Sequence, residues 1–343
     1  MRWPTRRQKT AVKRAKLSVE ATNLLKVPSP ETDDKLVTLA DWVEVKALLD
    51  SDGSASLEDL VRALCRDYSL SDTYARTLAG DAFKELVDRS DSCVPLAHTG
   101  RPWEYPFTLN ASCNLLCVRG KVTARAQAGM LYKFLLVASR ADMDSRRKLN
   151  GIDPTTVFEQ LCSEILLNFW GGEMDCSGSL IFGTARDKAN GTATFKANIE
   201  HLCTTLREGR GMKHDANPPG AGDGKLDIVV WRVFSDGRAG GLVGFGQCKT
   251  GIHWDTHLTK LDPRRFCEKY LQEPLIIDPI RIYMVPHRVD SRYWNDTSRD
   301  GGLLMDRCRL VQYGHTVSKT VFGNCREWLI AALERQRAGA FTA

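Results

Sequence analysis

The sequence predicts an α/β fold with a mixed central sheet, preceded by a smaller, mostly helical part. Three observations carry that expectation. From about residue 120 onward, strand-like apolar runs alternate with helical stretches, the pattern of a sheet covered on both faces. Two of those runs, "KLDIVVWRVF" and "GGLVGFGQCKT", flank the Gly-rich turn "SDGRAGG", as the arms of a hairpin would. Residues 37–120 instead open on apolar side chains at helical spacing and close on short extended segments.

Taken in order, residues 1–36 read as a basic arm and a linker, the latter ending in "PSPETDDKL". In "LADWVEVKALLD" the residues Leu39, Trp42, Val43, Val45, Leu48 and Leu49 recur near helical spacing. "SLEDLVRALCRDY" opens on Ser56 as N-cap with Asp59 in the first turn. "SDTYARTLAGDAFKELVDR" repeats the pattern from Ser71, and "CVPLAHTG" and "EYPFTLNASCNLLCV" read as extended. Three helices and a small hairpin resemble a winged helix, a module that binds DNA; a helical docking domain fits the same residues. A helical connector spans 121–150, and 151–343 carry the sheet. There "DPTTVFEQLCSEILLNFWGG" is a helix with Pro154 in its first turn and Gly171–Gly172 at its end. "GSLIFGT" is a strand and "TFKANIEHLCTTLREG" a helix. "HLTKLDPRRFCEKYLQ" reads as a helix broken near Pro263, "PIRIYMVPH" as a strand, and "VFGNCREWLIAALERQ" as the closing helix, while "LLMDRCRLVQYG" stays open between the two types.

Composition narrows the class. The chain has 343 residues, 43% hydrophobic and 26% charged, as in soluble globular proteins. No apolar run reaches the ~18–20 residues of a membrane span, so no membrane partner is expected. Eleven cysteines without C-x-x-C spacing suit free thiols in a reducing cytoplasm. The net charge of +6 is concentrated in "MRWPTRRQKTAVKRAK", which has seven Lys/Arg, Arg6 and Arg7 among them, and no acid. Such an arm is either solvated or follows a phosphate backbone, with salt-dependent affinity.

The hairpin raises a chemical question, because it puts Asp227, Gln247 and Lys249 into segments otherwise suited to a core. Side chains alternate along a strand, so Gln247 and Lys249 project the same way. The turn returns the preceding strand beside them and aims Asp227 at the same point. A carboxylate, an amide oxygen and an ammonium, with the backbone carbonyl of Cys248, form a set for a hard cation and a water. Mg²⁺, or Mn²⁺ in its place, suits few protein oxygens with the rest supplied by water and phosphate.

"GDGKLDIVVW" and "GFGQCKTG" resemble the active-site hairpin of the PD-(D/E)xK nuclease superfamily, most closely its Mrr-like restriction endonucleases with Gln-x-Lys. That family also carries a glutamate on the helix before the sheet, and "VFEQLCSEILLNFWGG" supplies Glu159. The resemblance covers residues 150–290. It implies a restriction-endonuclease-like three-layer fold and metal-assisted hydrolysis of DNA phosphodiesters. It assigns Glu159, Asp227, Gln247 and Lys249 as catalytic, with Asp227, Gln247, the Cys248 carbonyl and Glu159 around the cation. Should Glu159 not serve, Glu164 and Glu173 are the next helix acids. The 68 residues from Glu159 to Asp227 leave room for an extra helix. Similar Gln-x-Lys domains are effectors of bacterial anti-phage systems, which implies DNA, a homodimer, and a sensor or ATPase as partners. The alternatives are an inactive nuclease fold that binds nucleic acid or a partner, and an effector whose amino-terminal part docks a protein.

Other motifs are weaker. In "HWDTH", His253 and His257 have zinc-helix spacing, but Trp254 stands where the general base belongs. "DSDGSASLEDL" lacks the glycine and the glutamate of a calcium loop and reads as a turn before a helix. "GAGDGKL" is not a phosphate loop, since Leu226 follows Lys225. Cys113 and Cys117 read as buried thiols. Arg264 and Arg265, just past Pro263, read as a solvated face or as phosphate contacts flanking the cut site.

Overall fold

A computed structural model describes residues 23–92, 105–119, 126–141, 147–172, 176–182, 195–216 and 224–339. Arg6 and Arg7 of the basic arm, and "CVPLAHTG", lie outside the described residues.

The amino-terminal part follows the order helix, strand, helix, helix, strand, strand. Its helices are Lys35–Leu49 (α1), Leu57–Tyr68 (α2) and Asp72–Ser92 (α3). Ser56 caps α2 through a reciprocal box with Asp59, the Asp59 N–H donating to Ser56 Oγ at 3.2 Å and the Ser56 N–H to Asp59 Oδ2 at 2.8 Å. Strands Ser54–Ser56 (β1), Phe107–Leu109 (β2) and Leu115–Val118 (β3) pair antiparallel in the order β1-β3-β2. Helix Ala126–Arg140 (α4) leads onward.

Among the described residues of the carboxy-terminal part, five strands form the expected mixed sheet: Ser177–Ile181 (β4), Ile228–Arg232 (β5), Leu242–Cys248 (β6), Ile280–Met284 (β7) and Leu303–Met305 (β8). They lie in chain order, antiparallel from β4 to β6 and parallel from β6 to β8, with helix Trp294–Gly301 (α8) between β7 and β8. Helix Pro154–Phe169 (α5), capped by Asp153 with Pro154 at its start, lies against β4, β5 and β6. Alternation sorts the core onto two faces. Ile228, Val230, Ile282 and Met284 join Phe158, Leu161 and Leu166 of α5 and Trp328 of helix Lys319–Arg337 (α10). Val229, Val243 and Phe245 join Ile199 and Leu202 of helix Phe195–Leu206 (α6) and Phe266 and Tyr270 of helix Pro263–Tyr270 (α7). Gly244 permits the close packing of α5: a Cβ there would meet Ile282 Cδ1 at 2.6 Å and Trp170 Cη2 at 3.1 Å.

Two expectations are corrected, and one open reading is resolved. Pro263 does not break a helix but begins α7, with Asp262 accepting the Arg265 N–H at 3.0 Å; a proline at the first position loses no helical hydrogen bond. Cys113 is not buried: it sits exposed in the β2–β3 turn with φ +50°, and Cys117 is only half-buried. The undecided "LLMDRCRLVQYG" divides at Asp306, which ends β8 and caps helix Arg307–Gln312 (α9).

The hydrophobic cluster on the α5 face continues into α1, α2, α3 and α4. Within it lies a group of buried charges. Asp41, Glu44 and Arg89 of the amino-terminal helices meet Arg307 of α9, and all four are buried.

Candidate active site

The two strand ends meet at Asp227. Its N–H donates to the Gly246 carbonyl at 2.9 Å, and its Oδ2 accepts from the Cys248 N–H at 2.7 Å. Asp227 therefore bonds to the residues on either side of Gln247. On its other edge, the Phe182 N–H donates to the Asp227 carbonyl at 2.8 Å. These bonds hold a carboxylate that is only 6% exposed.

Gln247 is fully buried, yet among the described residues neither its Oε1 nor its Nε2 has a hydrogen-bond partner. Buried amides are almost always bonded, because a desolvated polar group without a partner costs about 1–3 kcal/mol. Gln247 lies opposite Tyr283, and Cys248 opposite Met284, across the parallel β6–β7 pair. Lys249 comes next, half-buried, its N–H bonded to the Met284 carbonyl at 3.0 Å.

Alternation gives Cys248 to the α5 side, where its thiol meets Cys162. Burial pushes that thiol well up; Cys162, Asp227 and Glu159 push it the same way, so all three lie within electrostatic reach of it. Glu159 thus approaches from the α5 face, half-buried, while Gln247 and Lys249 belong to the opposite face. Asp227 reaches both sides, since it also adds to the upward shift that burial and Asp255 impose on the Tyr283 phenol. Tyr283 in turn donates to the Trp254 carbonyl at 2.6 Å.

Asp227, Gln247 and Lys249 thus meet at one end of the β5–β6 hairpin, and Glu159 comes to that end from the other sheet face. The donors there are hard oxygens: the Asp227 carboxylate, the Gln247 amide, the Cys248 carbonyl and, from the helix, Glu159. The buried, unpartnered Gln247 Oε1 beside Asp227 fits a small divalent cation such as Mg²⁺. No group of three or more His, Cys, Asp or Glu side chains able to hold a metal occurs among the described residues. The zinc spacing of His253 and His257 leads only to a 3₁₀ turn over Trp254–His257, where His257 Nδ1 lies 3.0 Å from the His253 carbonyl.

Arg264 and Arg265 are exposed on α7, which covers the same sheet face as Gln247. Arg264 also pairs with Glu268 at 3.0 Å. The longest amino-terminal helix, α3, has five acids (Asp72, Asp81, Glu85, Asp88 and Asp91) against three bases (Arg76, Lys84 and Arg89). Each of those bases already meets carboxylates: Arg76 those of Glu58 and Asp72, Lys84 that of Asp81, and Arg89 those of Asp41, Glu44 and Glu85.

Sequence reasoning missed Cys162, Tyr283, Trp254 and His287 around the site. Tyr283 and His287 reach it only through the parallel β6–β7 pairing, and no local pattern announces that pairing. Compared with protein-family models, with curated proteins and with solved structures, the chain has no match.

Proposed function

We propose that this protein is a Mg²⁺- or Mn²⁺-dependent endonuclease that hydrolyses DNA phosphodiester bonds, with a restriction-endonuclease-like core, in restriction or anti-phage defence. One observation carries the reading. A fully buried glutamine with both polar atoms unpartnered lies between the two residues that bind Asp227, two positions before Lys249. A structural amide would have a partner; one that waits for a ligand does not.

When bound, the cation supplies neutralising charge at the scissile phosphate and acidifies a water. Asp227, held in place by the Cys248 N–H, presents the anionic oxygen for it. Gln247 adds a neutral oxygen, so the site holds a cation without excess negative charge facing the phosphate. Lys249 offers its ammonium to the attacking water and to charge developing on the phosphate. Glu159 contributes from the helix side. Arg264, Arg265 and the arm residues Arg6 and Arg7 contact phosphates away from the cut. The amino-terminal module, similar to a winged helix in its element order, docks a protein: the acidity and existing pairs of α3 disfavour a phosphate backbone. A homodimer and a sensor or ATPase partner are consistent with that role.

The test is cleavage of plasmid, linear DNA and RNA with Mg²⁺, Mn²⁺ or EDTA. DNA is cut with either metal and intact with EDTA. Asp227→Asn and Lys249→Ala each lose on the order of a hundred- to ten-thousand-fold in rate. Asn is preferred to Ala because it keeps an acceptor for the Cys248 N–H. Full activity in EDTA removes the metal mechanism. Wild-type binding to DNA without cleavage under any condition would instead favour an inactive fold used as a binding module.

A further inference from the structure

Arg307 joins the amino-terminal helices to the segment after β7, which borders the strand end that carries Lys249. It is fully buried. Its guanidinium forks onto Asp41 of α1, Nη1 to Oδ1 and Nη2 to Oδ2, each at 2.8 Å. Such a bidentate pair fixes orientation as well as distance. The same side chain donates from Nε to the Pro286 carbonyl at 3.0 Å, and its N–H donates to the His287 carbonyl at 3.0 Å. Residues 286 and 287 are therefore held from two sides by one arginine.

Those residues continue β7 just past Lys249's own support. The Lys249 N–H is bonded to Met284, and the next residue, Thr250, turns its carbonyl to His287 Nε2 at 3.4 Å. The imidazole stacks on Trp254, with ring centroids 6.0 Å apart and planes at 27°. Burial, with Arg307 acting in the same direction, lowers the His287 pKa to about 4, so the ring is neutral at physiological pH. A neutral ring that donates from Nε2 to Thr250 is the tautomer this arrangement accommodates. On the far side of the joint, Asp41 also accepts from Arg89 of α3 at 2.7 Å, and Arg89 donates to Glu44 at 2.8 Å.

We propose that Arg307 and His287 are positioning residues for Lys249, and that the Asp41–Arg307 pair is the joint through which the amino-terminal helices set where its ammonium stands. The catalytic consequence rests on the nuclease reading of Lys249; the joint itself does not. A partner docked on those helices would act on the chemistry by this route.

Two measurements on the full chain test it: amide hydrogen exchange across residues 247–251, and cleavage kinetics. The variants are His287→Ala, His287→Gln and Arg307→Lys. Gln places an amide nitrogen about where Nε2 of the imidazole stands, so it can donate to Thr250. With His287→Ala and Arg307→Lys, exchange at Lys249 and Thr250 rises about tenfold, the worth of one hydrogen bond, while α5 stays protected. In parallel kcat falls about tenfold with KM for DNA unchanged, and His287→Gln recovers both. Exchange at wild-type rates in His287→Ala and Arg307→Lys would overturn the joint, and so would a Gln variant no better than Ala. If the wild-type protein cuts no nucleic acid, the nuclease reading falls, and exchange alone decides the joint.

Discussion

The protein withdraws two polar groups from water on opposite terms. In the charged knot, both oxygens of Asp41 and of Glu44 and every guanidinium nitrogen of Arg89 and Arg307 has a partner. Glu44 takes the hydroxyls of Tyr105 and Tyr132 in addition to Arg89. Burial pushes the Asp41 carboxyl up, but Arg307 and Arg89 outweigh it and hold that carboxyl well below the usual carboxylate range. At the strand ends, the Gln247 amide is as deeply buried and has no partner among the described residues. Complete satisfaction makes polarity a fixture of the fold. Incomplete satisfaction is a standing cost, one that a ligand bound there would relieve.

The largest effect should come from breaking the satisfied group. Arg307→Leu leaves Asp41 with only part of its compensation and should cost about 3–5 kcal/mol in urea denaturation. A loss below about 1 kcal/mol would show that the knot does not hold the two parts together.

His287 gives a smaller and pH-dependent effect. Its folded pKa, about 4, lies below that of a free histidine, so the unfolded chain binds the extra proton between the two values. Stability is therefore full above a pH of about 6.5 and declines as pH falls toward about 4, by about 3 kcal/mol. His287→Gln should flatten that slope. An unchanged slope would mean that other groups produce it.

The smallest effect has the more informative sign. Gln247→Met keeps volume and length but deletes the unpartnered amide. In EDTA it should gain about 1 kcal/mol of stability while losing cleavage. A loss of stability would mean that the amide is satisfied in the folded protein, and the contrast with the knot would fail.

Much of this organisation is legible in the residues. The helices over 35–92 follow from apolar spacing and from the Ser56–Asp59 box, both local. The β5–β6 hairpin follows from two apolar runs about a glycine turn in which Gly237 and Gly240 adopt φ of +73° and +96°. Pro263 misled because a proline both ends helices and begins them, and the choice depends on whether a capping residue such as Asp262 precedes it. Cys113 misled because a free thiol is more often buried than exposed, although the polar Asn110, Ser112 and Asn114 around it mark the tip of a turn. The Asp41–Arg307 pair spans 266 positions, and no local pattern connects residues that far apart.

The sequence by itself determined the α/β class, the hairpin, and the order in which Asp227, Gln247 and Lys249 reach its end. These follow from alternation and turn chemistry, which act over a few residues. The tertiary structure decided that Glu159 approaches from the opposite face, that Tyr283 and His287 border the site, and that Arg307 ties it to the amino-terminal helices. It also decided that Gln247 is sealed from water without a partner. Whether a buried polar atom is satisfied depends on every segment packed around it, so only the folded chain could settle which glutamine was left open.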